Sequence, residues 1–140
     1  MYDKTETFEP KGVPAGYYKI PFGKAALRRS GSDVTIVTIG PLLYTVMKAL
    51  RYLKDYKIDA EVIDVRTLVP FDYDSIIASV SKTGRLLIVS EAVERGSYAK
   101  TIVANLVQLA FKQFKVAPIA LGAPNWIAPG ADMENKYSPQ

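Results

Sequence analysis

The chain has 140 residues, 49% apolar and 23% charged, which is enough apolar material for one core and one domain. Eighteen basic against fourteen acidic side chains leave a net charge of +4, and no run of Lys or Arg gathers it into the stripe that nucleic-acid binding needs. Cysteine is absent and so is histidine, which excludes disulfides, thiolate nucleophiles, metals held by Cys or His, and the commonest general base.

Residues 1–24 read as an extended arm. Pro10, Gly12, Pro14, Gly16, Pro21 and Gly23 interrupt any helix, and Tyr17, Tyr18, Ile20 and Phe22 give the arm a surface to lie on. The opening stretch MYDKTETFEPKG is polar and is not a signal peptide. No apolar run approaches the roughly 20 residues that span a bilayer.

An α/β domain is expected over 25–122. Gly23 to Leu27 predicts a short edge strand, followed by Arg28-Arg29 in a solvated turn with Ser30-Gly31-Ser32. Asp33 to Ile39 is a β-branched run closed by Gly40, the pattern of a buried strand. Leu43, Val46, Met47, Leu50 and Leu53 then recur at helical spacing, with Lys48, Arg51 and Lys54 off the stripe.

Ala60 to Val65 predicts the next strand. Asp72 is placed to cap a helix carrying Ile76, Ile77 and Val80, which Gly84 closes. Arg85 to Val89 predicts a third long strand. A turn from Ser90 then leads to a helix opened near Ser97 and carrying Ile102, Val103, Leu106, Leu109, Ala110 and Phe114. Ala117 to Leu121 is a last strand, entered through Pro118. The tail 123–140 has no period and holds the only tryptophan, Trp126. Strands alternating with helices predict a mainly parallel sheet covered on both faces.

Three places invite a chemical reading. Glu94-Arg95-Gly96-Ser97 precedes a helix, whose N-terminus attracts anions. It has a single Gly, however, and the phosphate-binding patterns GxGxxG and GxxxxGK[ST] occur nowhere in the chain. Glu91, after a strand, is placed for acid–base work but lacks an evident partner to tune it, so a structural or interface role is favoured. Asp64 and Arg66 flank the end of another strand and read as a local ion pair. A phosphorylated receiver domain is disfavoured: the first long strand ends Thr38-Ile39-Gly40 and the last ends Leu121-Gly122-Ala123, without the acidic pair and the lysine it requires.

Several blocks, in order and covering nearly the whole chain, resemble the C-terminal domain of transketolase-type thiamine enzymes. The likeness is strongest to the β subunit of the decarboxylase component of 2-oxo acid dehydrogenases, of the pyruvate or branched-chain type. The blocks are Tyr18-Lys19-Ile20-Pro21-Phe22-Gly23-Lys24-Ala25, Gly31 to Val37, Ala60 to Pro70, and Ser79 to Ala92.

The resemblance implies a three-layer α/β/α sandwich around a five-stranded mixed sheet whose first short strand is antiparallel. It implies a parent enzyme that uses thiamine diphosphate and Mg²⁺, decarboxylates a 2-oxo acid and passes the acyl group to a lipoyl arm. In such a parent this domain binds no cofactor. It supplies a homodimerising surface, meets other domains and subunits of the decarboxylase, and offers a docking place for the subunit-binding domain of the acyltransferase. The setting is the cytoplasm or the mitochondrial matrix. The relatives transketolase and deoxyxylulose phosphate synthase are the alternative parents, and an unrelated small-molecule-binding α/β domain is a third reading.

The interface candidates are Ser90, Glu91, Arg95, Gly96, Tyr98 and Trp126. Two departures stand out: Ser90-Glu91-Ala92 replaces a frequent His-Glu-Ala, and Val116 stands where an acidic docking residue is common. The chain also stops at Tyr137-Ser138-Pro139-Gln140, before the family's terminal helix, which leaves two alternatives, a naturally short tail or a fragment; Met1 ahead of an arm that normally follows another domain points to the fragment.

Overall fold

β-Branched residues dominate the centre of the sheet because side chains there are buried on both faces. In the computed structural model, which describes residues 16–125, Val34–Ile39 (β2) is the central strand, and Thr35, Ile36, Val37 and Thr38 are all buried. It pairs in parallel with Ala60–Val65 (β3) on one side and with Leu86–Val93 (β4) on the other. Ile119–Ala123 (β5) extends the sheet in parallel beyond β4, and Ala26–Arg29 (β1) closes the opposite edge antiparallel to β3. The order is β1-β3-β2-β4-β5, a five-stranded mixed sheet.

Strand alternation sends neighbouring residues to opposite cores. Ile36, Val62 and Val89 pack with Leu42, Leu43, Val46, Met47 and Leu50 of helix Leu42–Asp55 (α1). Val37, Ile63 and Ile88 pack with Ile76 and Val80 of Tyr73–Thr83 (α2) and with Ile102 and Leu106 of Tyr98–Ala110 (α3). The layers are therefore α1, the sheet, and α2 with α3. One helix cannot cover five strands, and a groove of about 720 Å³ remains beside α1, floored by Ile36, Leu87, Val89 and Leu121. No described helix is long and apolar enough to cross a membrane.

Asp72 caps α2, as its sequence position predicts. Its Oδ1 accepts from the Ser75 N–H at 3.3 Å, and its Oδ2 accepts from the Ser75 hydroxyl at 2.7 Å and the Ala25 N–H at 2.9 Å. Burial works to raise its carboxyl pKa, but the bonds from Ala25 and Ser75 outweigh burial and hold it below the usual range. Gly84 ends α2 in the left-handed region at φ 74°, with its N–H on the Val80 carbonyl.

Four expectations need correction. β1 lies at Ala26–Arg29 rather than 23–27, because Arg28 and Arg29 are strand residues held by acids: Arg28 meets Asp64 at 2.6 Å and Arg29 meets Asp59 at 2.8 Å. Asp64 therefore does not pair with Arg66, which instead donates to the carbonyls of Lys24 and Ala25 and fixes the end of the arm. β4 continues to Val93, so Ser90 and Glu91 are strand residues rather than the start of a turn. α3 stops at Ala110 and passes into a 3-10 turn at Phe111–Gln113, while Phe114 still packs on the core. Trp126 and the tail beyond it lie outside the described residues.

Candidate functional site

In an open parallel sheet, the strand ends and the loops that follow them gather at the carboxyl edge. Here the β4–α3 link, the β3–α2 loop and the end of the arm converge there. Between the pairs Val89–Leu121 and Val93–Ala123, the register advances four residues on β4 and two on β5. β4 therefore bulges over Ser90 to Ala92. Gly122 makes room for the bulge: a Cβ at this position would collide with the Ala92 carbonyl oxygen. The Glu94 N–H then returns to the Ala123 carbonyl at 2.9 Å.

The turn after β4 is tied down by its own residues. Ser97 caps α3, accepting from the Lys100 N–H at 3.2 Å and donating its hydroxyl to the Glu94 carbonyl at 3.1 Å. Glu94 pairs with Lys100 at 2.6 Å. Gly96 takes φ 68°, a conformation that favours glycine. The Arg95 N–H donates to Asn125 Oδ1 at 2.6 Å, and the Tyr98 hydroxyl donates to the Leu68 carbonyl at 2.9 Å.

Five of the sequence-predicted residues are thus brought to one edge: Ser90, Glu91, Arg95, Gly96 and Tyr98. They do not share one environment. Ser90 is buried and does not reach the surface, and its Oγ has no protein partner among the described residues. Glu91 and Arg95 are exposed, and neither side chain has an ion-pair or hydrogen-bond partner among the described residues. Glu94, the carboxylate nearest to Glu91 in sequence, is occupied by Lys100. Chemistry at Glu91 would need a second group to tune it or to share its proton, and no described residue supplies one.

The same edge exposes apolar side chains that the sequence did not single out together. Phe22 is 83% exposed and Val69 82%, with Leu68, Val93 and Tyr98 also at the surface. The Gly23 N–H bonds to Thr67 Oγ1 at 2.8 Å and Tyr98 holds Leu68, so the arm, the β3–α2 loop and α3 form one patch. Solvent-facing apolar clusters of this kind mark interaction surfaces.

A buried polar network lies at the opposite, amino edge. Glu61 is buried in β3 and accepts from Lys82 Nζ, from the Ser79 hydroxyl at 2.6 Å and from the Gly31 N–H at 3.3 Å. Thr35 Oγ1 continues the chain to Ser79 at 2.6 Å and to Thr83 at 2.8 Å. Burial raises the Glu61 carboxyl pKa, and the bonds from Lys82, Ser79 and Gly31 outweigh it, leaving the net shift downward. The available sequence signal is a carboxylate, Glu61, near the start of the strand-forming stretch AEVIDV, whose second acid, Asp64, pairs with Arg28 instead. The network ties β3 and β2 to the end of α2, which is a structural task.

A five-stranded sheet in the order β1-β3-β2-β4-β5 with an antiparallel first strand, flanked by helices on both faces, defines the class of domain. The family model for the transketolase C-terminal domain matches residues 23–140, and the chain belongs to that family. It is 37% identical over 127 residues to the pyruvate dehydrogenase E1 component subunit beta of Bacillus subtilis, covering 91% of this chain and 39% of that protein.

It is 40% identical over 128 residues to the acetoin:2,6-dichlorophenolindophenol oxidoreductase subunit beta of Cupriavidus necator, covering 91% of this chain and 38% of that protein. The Bacillus subtilis protein of the same name is 39% identical over 139 residues, with 98% of this chain and 40% of that protein covered. The chain thus spans about two fifths of the length of these relatives. Among solved structures, a split gene transketolase described as an inactive beta4 tetramer has a TM-score of 0.72 at 23% identity, over 94% of this chain and 40% of that one, and shows the shared fold.

Proposed function

We propose that this chain is the assembly domain of a 2-oxo acid dehydrogenase β subunit: it builds contacts between domains and subunits and does not itself carry out the chemistry. The observation that carries the reading is the carboxyl edge. Where an α/β enzyme would present converging catalytic groups, this domain presents an apolar patch flanked by Glu91 and Arg95. The parent enzyme would use thiamine diphosphate and Mg²⁺ held by domains other than this one. Its partners would be the other subunits of the decarboxylase and, through a separate surface, the subunit-binding domain of the acyltransferase. The bacterial relatives favour a cytoplasmic setting over a mitochondrial one.

Subunits of pyruvate and acetoin enzymes match at nearly equal identity, and the assembly reading is the same for either parent. A transketolase parent draws on a solved structure that is alike in fold, at 23% identity. A chimera tests the proposal. The matching region of the Bacillus subtilis pyruvate dehydrogenase subunit beta is replaced by this chain, and assembly with its partner subunit is followed by size and activity. An assembled, active chimera is the expected result. A chimera that folds but does not assemble overturns the proposal.

A further inference from the structure

Lys48, Arg51, Lys54 and Lys57 place four cations on α1 and the turn that follows it, against the single acid Asp55. All five are exposed, and none of the described residues makes an ion pair with any of them. Lys54 and Lys57 sit at the C-terminal end, where the helix dipole favours a cation. Lys48 and Arg51 lie further back, where it does not. The residues three and four places from Lys48 are Tyr44, Thr45, Arg51 and Tyr52, so no acid of the helix reaches it. Arg51 has a lysine three residues away on either side, a spacing at which like charges repel. A helix face that serves solubility alone intersperses the two signs.

The same face shows aromatic rings. Tyr44 and Tyr52 flank Lys48, and Tyr56 follows at the C-cap of α1; Tyr52 is 56% exposed and Tyr56 76%. The Arg51 guanidinium lies over the Tyr52 ring, 4.9 Å from its centre, and donates to the Tyr52 hydroxyl at 3.0 Å, which holds the cation in place. Exposed Tyr beside Arg is the pairing that carries much of the binding energy at protein interfaces. The cations step by three residues and wind about the helix, so they do not line up along a nucleic-acid backbone. Asp55, one turn from Arg51, repels a continuous polyanion, whereas a polypeptide can offer it a donor.

We infer that the outer face of α1 binds an acidic segment of another protein, with carboxylates on Lys48 and Arg51 and apolar side chains against the rings of Tyr52 and Tyr56. α1 forms the layer opposite α2 and α3, so this site is separate from the carboxyl-edge patch and does not rest on the assembly reading. Fluorescence anisotropy tests it: a labelled peptide of repeated Glu-Leu-Glu-Glu units is titrated with the purified chain at about 50 mM salt, where exposed charges are weakly screened. Saturable binding with a Kd of about 100 μM or tighter is expected. Replacing every Glu of the peptide by Gln should weaken binding about tenfold or more. Lys48→Glu and Arg51→Glu should each weaken it about fivefold or more, and Tyr52→Ser about threefold. Lys112→Glu, beyond the end of α3, changes the net charge equally and should leave the Kd within about twofold. Circular dichroism of each variant separates loss of binding from loss of fold.

No saturable binding at about 500 μM chain overturns the inference, as does equal affinity for the Gln peptide or binding indifferent to both reversals. A loss at Lys112→Glu as large as at Lys48→Glu would show attraction by net charge alone and would also overturn it. Oligouridylate or phosphatidylglycerol vesicles held more tightly than the peptide, and released by the same reversals, would make the face a nucleic-acid or membrane site instead.

Discussion

The Tyr98 hydroxyl, in the first turn of α3, donates to the Leu68 carbonyl in the loop after β3, and this single bond at 2.9 Å fastens two separate connections into one surface. It also explains how Val69 stays at the surface in a fixed place. Tyr98→Phe removes the bond from a partly exposed site, and a stability loss of about 0.5–1.5 kcal/mol is expected in urea unfolding. Assembly with the partner subunit in the chimera should fall by more than that change in stability accounts for, because the apolar patch loses its support.

Asp72 joins three elements: it caps α2, holds the Ser75 hydroxyl and takes the Ala25 N–H that leads into β1. Asp72→Ala leaves a cap and a partly buried N–H without partners, so a loss of about 2–3 kcal/mol is expected. Asp72→Asn keeps an acceptor oxygen and should recover part of it. Thermal unfolding of the two variants checks the order.

Glu61 sets an acid limit on stability. Its folded pKa lies below its ordinary value, so its contribution is fully present above that ordinary value and is lost as pH falls through the folded one. Asp72 acts in the same direction. Unfolding free energy should therefore hold steady at neutral pH and decline below about pH 4.5. Glu61→Gln should be less stable at pH 7 by roughly 1–3 kcal/mol, since Lys82 loses its anion, and should show a shallower decline in acid. Denaturant titrations of both proteins at pH 7 and pH 3.5 measure the difference.

Gly122 permits the bulge that shapes the carboxyl edge. Gly122→Ala pushes a methyl group into the Ala92 carbonyl, and either β4 or β5 must move. A cost of about 1–3 kcal/mol is expected, together with weaker assembly in the chimera, because the edge segment that holds Glu91 is displaced. A variant that is as stable as the parent and assembles as well would show that the bulge does not shape the edge.

Much of this domain is legible in its sequence because local signals agree with the fold. The β-branched run Val34 to Ile39 can only be a buried strand, and Asp72 and Gly84 bracket α2 with a cap at each end. Reading fails where a distant partner decides. Arg28 and Arg29 look like a solvated turn until Asp64 and Asp59 are placed beside them. β4 runs past Ser90 because β5 accepts its bulge at Gly122, a contact that spans some thirty residues. The Glu61 network joins residues from β2, β3 and α2, and only Glu61 itself leaves a trace in the sequence. Glu91, Arg95 and Tyr98 lie close in sequence and reach one edge, whereas Phe22 and Val69 join that edge only through the fold.

On the proposed reading, the carboxyl edge joins protein to protein and does not bind cofactor. Sedimentation velocity of the purified chain over a concentration series, with and without thiamine diphosphate and Mg²⁺, tests it most directly. A concentration-dependent dimer whose distribution is the same in both conditions is expected. A monomer whose sedimentation responds to the cofactor would contradict it and would make the turn from Glu91 to Tyr98 a ligand site.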